Sequence, residues 1–200
     1  AQDSGGAFSP TIVPILNLWG FSGSNPSVPT QEKIEQFLPY VDYQNLRVDT
    51  QENIASLKMR YSSVSLDGVY NGALCESAVS SYQTSGVAAG IITVGNSVGV
   101  YGTKPDGSKW TLAVKNPDVT DTELLAIGTF TIESGYASTC QLEQNSFVQD
   151  GTTYYGILDP STGKPVETDL VSVTVTHADG PTSDALALAC MVLGKEKGMS

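Results

Sequence analysis

Hydrophobic and polar positions alternate most regularly at Val171, Val173 and Val175, which are interleaved with Ser172, Thr174 and Thr176. That period of two predicts a half-buried strand. Val64 and Leu66 alternate with Ser63 and Ser65 and predict another, shorter strand. Elsewhere the period lengthens. Leu74, Cys75, Ala78, Val79 and Tyr82 recur at helical spacing, predicting a helix over residues 70–82 that Gly86 stops. A second helix is expected from Ser183 to about Lys195, with Leu186, Ala189, Cys190 and Leu193 toward the core. Thr30 can cap a short helix with Glu32 in its first turn and Ile34, Phe37 and Leu38 on one face, and Pro39 ends it.

The remaining apolar runs are short and separated by turn residues. Leu46 to Leu57 reads as strand and turn, and Ile91 to Val100 as a strand interrupted by Gly95-Asn96-Ser97. Lys104-Pro105-Asp106-Gly107 is a hairpin turn leading into Trp110 to Val114. Ile127 to Ile132, Phe147 to Gln149 and Tyr154 to Leu158 are further strands, the last two joined by a tight turn at Asp150-Gly151. Asp159 to Gly163 is another turn, Ser22 to Pro29 a loop, and Ala7 to Phe21, rich in Pro and Gly, a packed and partly extended opening segment. Hairpins dominate, so the expected fold class is α+β, a mainly antiparallel sheet packed against a few helices in a single domain over residues 1–200.

Charge narrows the partners. Lys+Arg total 10 against Asp+Glu 21, a formal charge of −11. That balance argues against nucleic acid and anionic membrane surfaces as partners, because both need a basic patch. A nucleotide stays open where a helix N-terminus or a metal offsets the repulsion. Three cysteines without CxxC spacing exclude a disulfide framework and a zinc site, and His177 is the sole histidine. No apolar run reaches the roughly 18 residues that a membrane span needs. The first residues carry no basic and apolar leader pattern, which fits either a cytoplasmic chain or one whose leader has been removed.

Several positions carry candidate chemistry. Asn71-Gly72, at a helix start behind Tyr70, offers free N–H groups to an anion or forms an ordinary cap. Glu76 is either a nucleotide contact or part of a solvated helical face. Asp184 is either a magnesium ligand or an acid stabilised in the first turn of its helix. Thr139-Cys140 reads as a loop whose thiol nothing nearby activates. Of Tyr154 and Tyr155, one faces the core and the other is free to stack on a flat ring.

Five segments, in this order, resemble the flavin-transferase (ApbE-type, FAD:protein FMN transferase) family. They are Gly6 to Thr11 with Leu18 to Phe21; Asp67 to Ala73; Gly95 to Val98 with Lys104 to Trp110; Gly156 to Pro165; and Ser172 to Val175 with Ser183 to Ala187 and Val192 to Gly194. The resemblance implies an ApbE-like (T-fold-like) architecture that lacks the family's leading segment and final part. It implies FAD and magnesium as cofactors, a target protein as partner, and an extracytoplasmic, bacterial location. Tyr70, Asn71, Gly72, Glu76, Gly95, Asn96 and Thr139 become the implied cofactor-binding positions and Asp184 the implied metal ligand; no catalytic residue is assigned. The family pattern is broken where it bears on chemistry. Leu188 stands where a threonine ligand is expected four residues after Asp184, Asn71 replaces a lysine, Asn96 the second of paired glycines, and Gly156 a histidine. Cys140-Gln141-Leu142 stands where Ser-Gly-Asp is expected. Three readings follow: a catalytically impaired relative that keeps flavin or nucleotide binding, an active transferase with altered ligands, and a non-enzymatic interaction or structural domain.

Overall fold

The computed structural model describes residues 1–118, 120–121 and 123–200. From the N-terminus run α1 (Val13–Trp19), α2 (Gln31–Phe37) and the hairpin of β1 (Leu46–Asp49) and β2 (Ile54–Leu57). Helix α3 (Tyr70–Thr84) leads into β3 (Gly90–Val94), β4 (Ser97–Tyr101), β5 (Trp110–Lys115), β6 (Ala126–Ile132) and β7 (Gly135–Gln141). Next come β8 (Ser146–Gln149), β9 (Thr152–Tyr155), β10 (Leu158–Asp159) and β11 (Lys164–Pro165), then β12 (Ser172–His177) and α4 (Gly180–Gly198). Every strand pairing among the described residues is antiparallel, so the fold is α+β as expected.

The chain divides into two compact units, and α4 contributes to both. The first comprises Ala1–Leu66, Leu142–Leu170 and Leu188–Ser200. Its core joins Ile15 and Trp19 of α1, Ile34 of α2, Val41 and Leu158. The Trp19 ring lies 5.6 Å from that of Tyr154, which stacks on Phe147 at 5.3 Å. The indole N–H of Trp19 donates to the Gly163 carbonyl at 2.8 Å, so the buried ring leaves no polar atom unmet. Thr30 caps α2 through Lys33 N–H, as its position before an apolar-periodic run predicts.

The second unit comprises Asp67–Gln141 and Val171–Ala187 and is built on a four-stranded sheet of order β12-β7-β4-β3. Alternation along β4 and β7 gives each face its own core. Tyr101 and Tyr136 meet Cys75 and Val79 of α3 on one side, while Val100 and Ala137 meet Leu112 of the β5–β6 ribbon on the other. Trp110 donates its indole N–H to Gly102 O at 2.8 Å, and Lys104 Nζ sits 5.4 Å from its ring centroid.

Several expectations are corrected. The opening segment is helical over α1, because Pro14 falls in the first turn, where it lacks no needed N–H, and Gly20 ends the helix in the left-handed region at φ 78°. Residues 64–66 form no strand: Val64 and Leu66 are exposed and Ser65 N–H bonds Pro10 O, one bond in place of a ladder. The turn at Lys104–Gly107 does not join paired strands, since β5 pairs with β6. Tyr154 to Leu158 is split between β9 and β10 around Gly156. Helix α4 opens at Gly180, ahead of Ser183, and of the four residues assigned to its core face only Ala189 is fully buried, alongside Ala187 and Met191. Leu74 and Tyr82 of α3 are exposed, so its buried stripe is narrower than its apolar one.

Truncating Ile15, which is 0% exposed, to Ala is expected to cost about 2–5 kcal/mol. Val48→Ala, at a side chain 62% exposed, is expected to change stability by less than about 0.5 kcal/mol. Urea unfolding followed by circular dichroism separates the two.

Candidate functional site

Two helices begin side by side within the second unit, and each begins with unmet amides. Val69, which precedes α3, makes no side-chain cap. The amide of Gly72 in the first turn of α3 is met instead by Asp184 of α4, which accepts it on Oδ2 at 2.6 Å. The exchange is reciprocal. Gly180 N–H, at the start of α4, donates to Oε2 of Glu76 on α3 at 3.2 Å. Each helix thus lends a carboxylate to the other's positive end, where negative charge is favoured.

This crossing requires two bare backbones. A Cβ on Gly72 would stand 2.1 Å from Gly180 O, and one on Gly180 would stand 2.3 Å from Gly72 O. Only glycine fits at either position.

The other oxygen of Asp184 reaches into the sheet. Oδ1 accepts from Ser97 Oγ of β4 at 2.5 Å and from Ser138 Oγ of β7. Ser183 adds a hydroxyl 2.6 Å from Ser138 Oγ and itself lies 2.8 Å from Gly180 O. Ser97, Ser138 and Ser183 are all buried, so one carboxylate gathers two strands and two helix starts.

The sequence-derived positions converge here. Asn71 lies against the β3–β4 turn: a Cβ on Gly95 would stand 2.5 Å from Asn71 Nδ2. Asn96 accepts from Thr139 N–H at 3.0 Å. Thr139 corrects an expectation, because it belongs to no loop. It sits on β7, with Oγ1 2.9 Å from Thr174 Oγ1 on the paired strand. Its neighbour Cys140 is half-buried in that strand, and desolvation pushes the thiol up to about 12. Glu76 is bonded to Gly180 rather than lying on a solvated face. Asp184 lies beyond the first turn of its own helix, since α4 starts at Gly180, and it caps α3 instead. Tyr70 is 55% exposed at the start of α3. His177 is satisfied locally, accepting from Asp179 N–H on Nδ1 at 3.0 Å. Gly180 and Ser138 escaped the sequence reading. Ser97 and Ser183 lay inside quoted motifs without a role, and Ser138 had no signal once its strand went unrecognised.

Magnesium takes oxygen ligands in near-octahedral geometry. Asp184 supplies one carboxylate, whose Oδ2 already accepts a backbone N–H and whose Oδ1 accepts two hydroxyls. Among the described residues no group of three or more His, Cys, Asp or Glu side chains comes together. In the first unit Leu188 and Gly156 line one small cavity of about 70 Å³ with Ile12, Leu16, Leu158 and Pro160, surroundings with little polarity. A Cβ on Gly156 would stand 2.9 Å from Asn145 Nδ2, so Asn145 fills the space beside it.

The profile of the ApbE family matches residues 1–200, and the chain belongs to that family. It is 32% identical over 199 residues to an FAD:protein FMN transferase of Vibrio cholerae serotype O1, covering 98% of this chain and 58% of that protein. The crystal structure of the ApbE protein of Thermotoga maritima superposes with a TM-score of 0.86 at 33% identity, over 96% of this chain and 62% of that one. The apo flavinyl transferase ApbE of Pseudomonas stutzeri gives 0.84 at 31% identity, over 98% and 60%. The chain thus spans less than two thirds of the length of each of these relatives.

Removing the Asp184 carboxylate strands the Gly72 amide and takes an acceptor from two buried hydroxyls. Asp184→Ala is expected to lose about 1–3 kcal/mol or more, and Glu76→Gln less, in urea unfolding; equal stability of Asp184→Ala and the parent chain would contradict the cap. Cys140 should resist iodoacetamide at pH 8. A thiol with its pKa raised to about 12 holds only about one part in ten thousand as thiolate there, and alkylation should accelerate only as pH climbs toward that value.

Proposed function

We propose that the chain is a divergent relative of the FAD:protein FMN transferases that has lost FAD cleavage and keeps flavin or nucleotide binding. The observation that carries this reading is the use of Asp184 as a cap: Gly72 N–H and the Ser97 and Ser138 hydroxyls take up most of the acceptor capacity of its carboxylate. Splitting a flavin pyrophosphate is phosphoryl chemistry, which depends on positioning and neutralisation of developing charge. A carboxylate spent on capping supplies neither, and the neutral amide of Asn71 cannot stand in for a cation opposite phosphates.

Binding asks for less than cleavage. Tyr70 offers an exposed ring next to the first turn of α3, and the Asn71 amide beside Gly95 offers donor and acceptor atoms at the same end of the unit. A flavin or nucleotide meets an aromatic surface and uncharged hydrogen-bonding groups there. The family relationship supports this choice of ligand over other flat molecules. A target protein enters on the same ground: the relatives transfer FMN to protein, and in this reading the chain meets such a partner without modifying it.

The test is incubation of the pure chain with FAD and magnesium, with separation of FAD, FMN and AMP and a parallel equilibrium dialysis. FAD retained by the protein and recovered intact is the expected result. Release of AMP would overturn the loss of cleavage, and absence of FAD retention by folded protein would overturn flavin binding. Restoring Asn71→Lys, Gly156→His and Leu188→Thr together is expected to raise FAD affinity in the same dialysis, by about tenfold for each 1.4 kcal/mol regained.

A further inference from the structure

Strand β9 is paired on one side only. Asp150 and Gly151, with φ of 52° and 77°, form a two-residue turn in which Gln149 faces Thr152 and Phe147 faces Tyr154. In such a hairpin the residues flanking the turn exchange ladder bonds, and bonded pairs then alternate with non-bonded ones. Gln149–Thr152 and Phe147–Tyr154 are therefore the bonded pairs. The next, Asn145–Gly156, is closed by the Gly156 N–H to Asn145 O bond of 2.7 Å. Thr153 and Tyr155 consequently turn their N–H and C=O groups to the opposite edge.

Slightly further along, that opposite edge is occupied. Val166 N–H donates to Ile157 O at 2.9 Å, and Leu158 pairs with Pro165. After Val166 the chain leaves the ladder, and no backbone hydrogen bond among the described residues reaches Thr153 or Tyr155 from that side. A cavity of about 510 Å³ opens at the gap, between β9 and residues 164–167, with Trp19, Val28 and Ile34 in its lining.

We propose that this gap receives an extended, basic segment of another protein, added as a strand antiparallel to β9. Thr153 and Tyr155 present four backbone groups to it, the currency of strand addition. The sequence Thr152-Thr153-Tyr154-Tyr155 carries neither a charge nor a proline, the usual devices that protect an open edge. A residue of the added strand opposite Tyr154 shares its face and meets Trp19, so an apolar side chain suits that place. The sign of the charge chooses the occupant: at a formal −11 the chain repels a second copy of itself and attracts a basic segment. The inference is independent of flavin binding.

The test is selection of a displayed library of random seven-residue peptides on the wild-type chain, with synthesis of the enriched sequences. Thr153→Pro removes one outward-facing N–H and leaves the β8 side of the ladder intact, so it should weaken binding of those peptides at least tenfold. Val148→Pro, on the far edge of β8, should not. Should Thr153→Pro fail to fold, amide exchange in the wild-type chain decides. Bound peptide should slow Thr153 and Tyr155 at least tenfold and leave Thr152 and Tyr154 as they were. No enriched peptide, equal binding to Thr153→Pro, or unchanged exchange at both amides would each overturn the proposal. A concentration-dependent dimer abolished by Thr153→Pro would overturn it in favour of a second copy of this chain.

Discussion

A single carboxylate, that of Asp184, receives a backbone N–H from one helix and hydroxyl protons from two strands. Hydrogen bonds to a charged acceptor are roughly twice as strong as neutral ones, and here their donors are buried. Losing the acceptor would leave the Gly72 amide unmet, the costly side of hydrogen bonding, while Ser138 keeps Ser183 and Ser97 within reach. The rest of the second unit is arranged to make the contact possible. Gly72 and Gly180 let two backbones approach more closely than any side chain allows, and Glu76 returns the favour to α4. The sheet brings Ser97 and Ser138 opposite one another in the β4–β7 register.

The bonds are divided between the two oxygens: Oδ1 accepts from two hydroxyls and Oδ2 from one backbone N–H. Asn71 is neutral, and Gly156 and Leu188 share a small cavity with aliphatic neighbours. At 33% identity the chain superposes on the Thermotoga structure with a TM-score of 0.86. Apolar volume and turn geometry sustain a fold, whereas reactive groups answer only to chemistry.

How much of this was legible depended on the residue types involved. The β12 strand, α3 and the Asp150-Gly151 turn announce themselves through clean periods and turn residues. The central strand β7 does not. Its sequence, Gly-Tyr-Ala-Ser-Thr-Cys-Gln, is small and polar because its side chains sit under α4 Ser183 and beside Asp184, where large apolar groups would not fit. Helix α1 was masked by a proline that is harmless in a first turn. Val64 and Leu66 show the opposite error, an alternation with no neighbouring strand to complete it. Within the site, Gly72, Glu76 and Asp184 were identifiable near helix starts, but the bonds that Asp184 makes to Gly72 and Glu76 to Gly180 were not. Gly72 and Asp184 lie 112 positions apart in the chain, and only the close approach of two glycines brings them together.

The two tryptophans fall one in each unit, Trp19 in the first and Trp110 in the second. Their surroundings differ: Trp19 is enclosed by aromatic rings, while Trp110 is half-buried with a lysine over its face. Emission from an enclosed indole lies to the blue of one that touches water. Intrinsic fluorescence of the unmodified chain therefore carries two separable reporters, and Trp19→Phe or Trp110→Phe leaves a light source in one half alone. Whether the halves melt together or in turn becomes readable without adding any label.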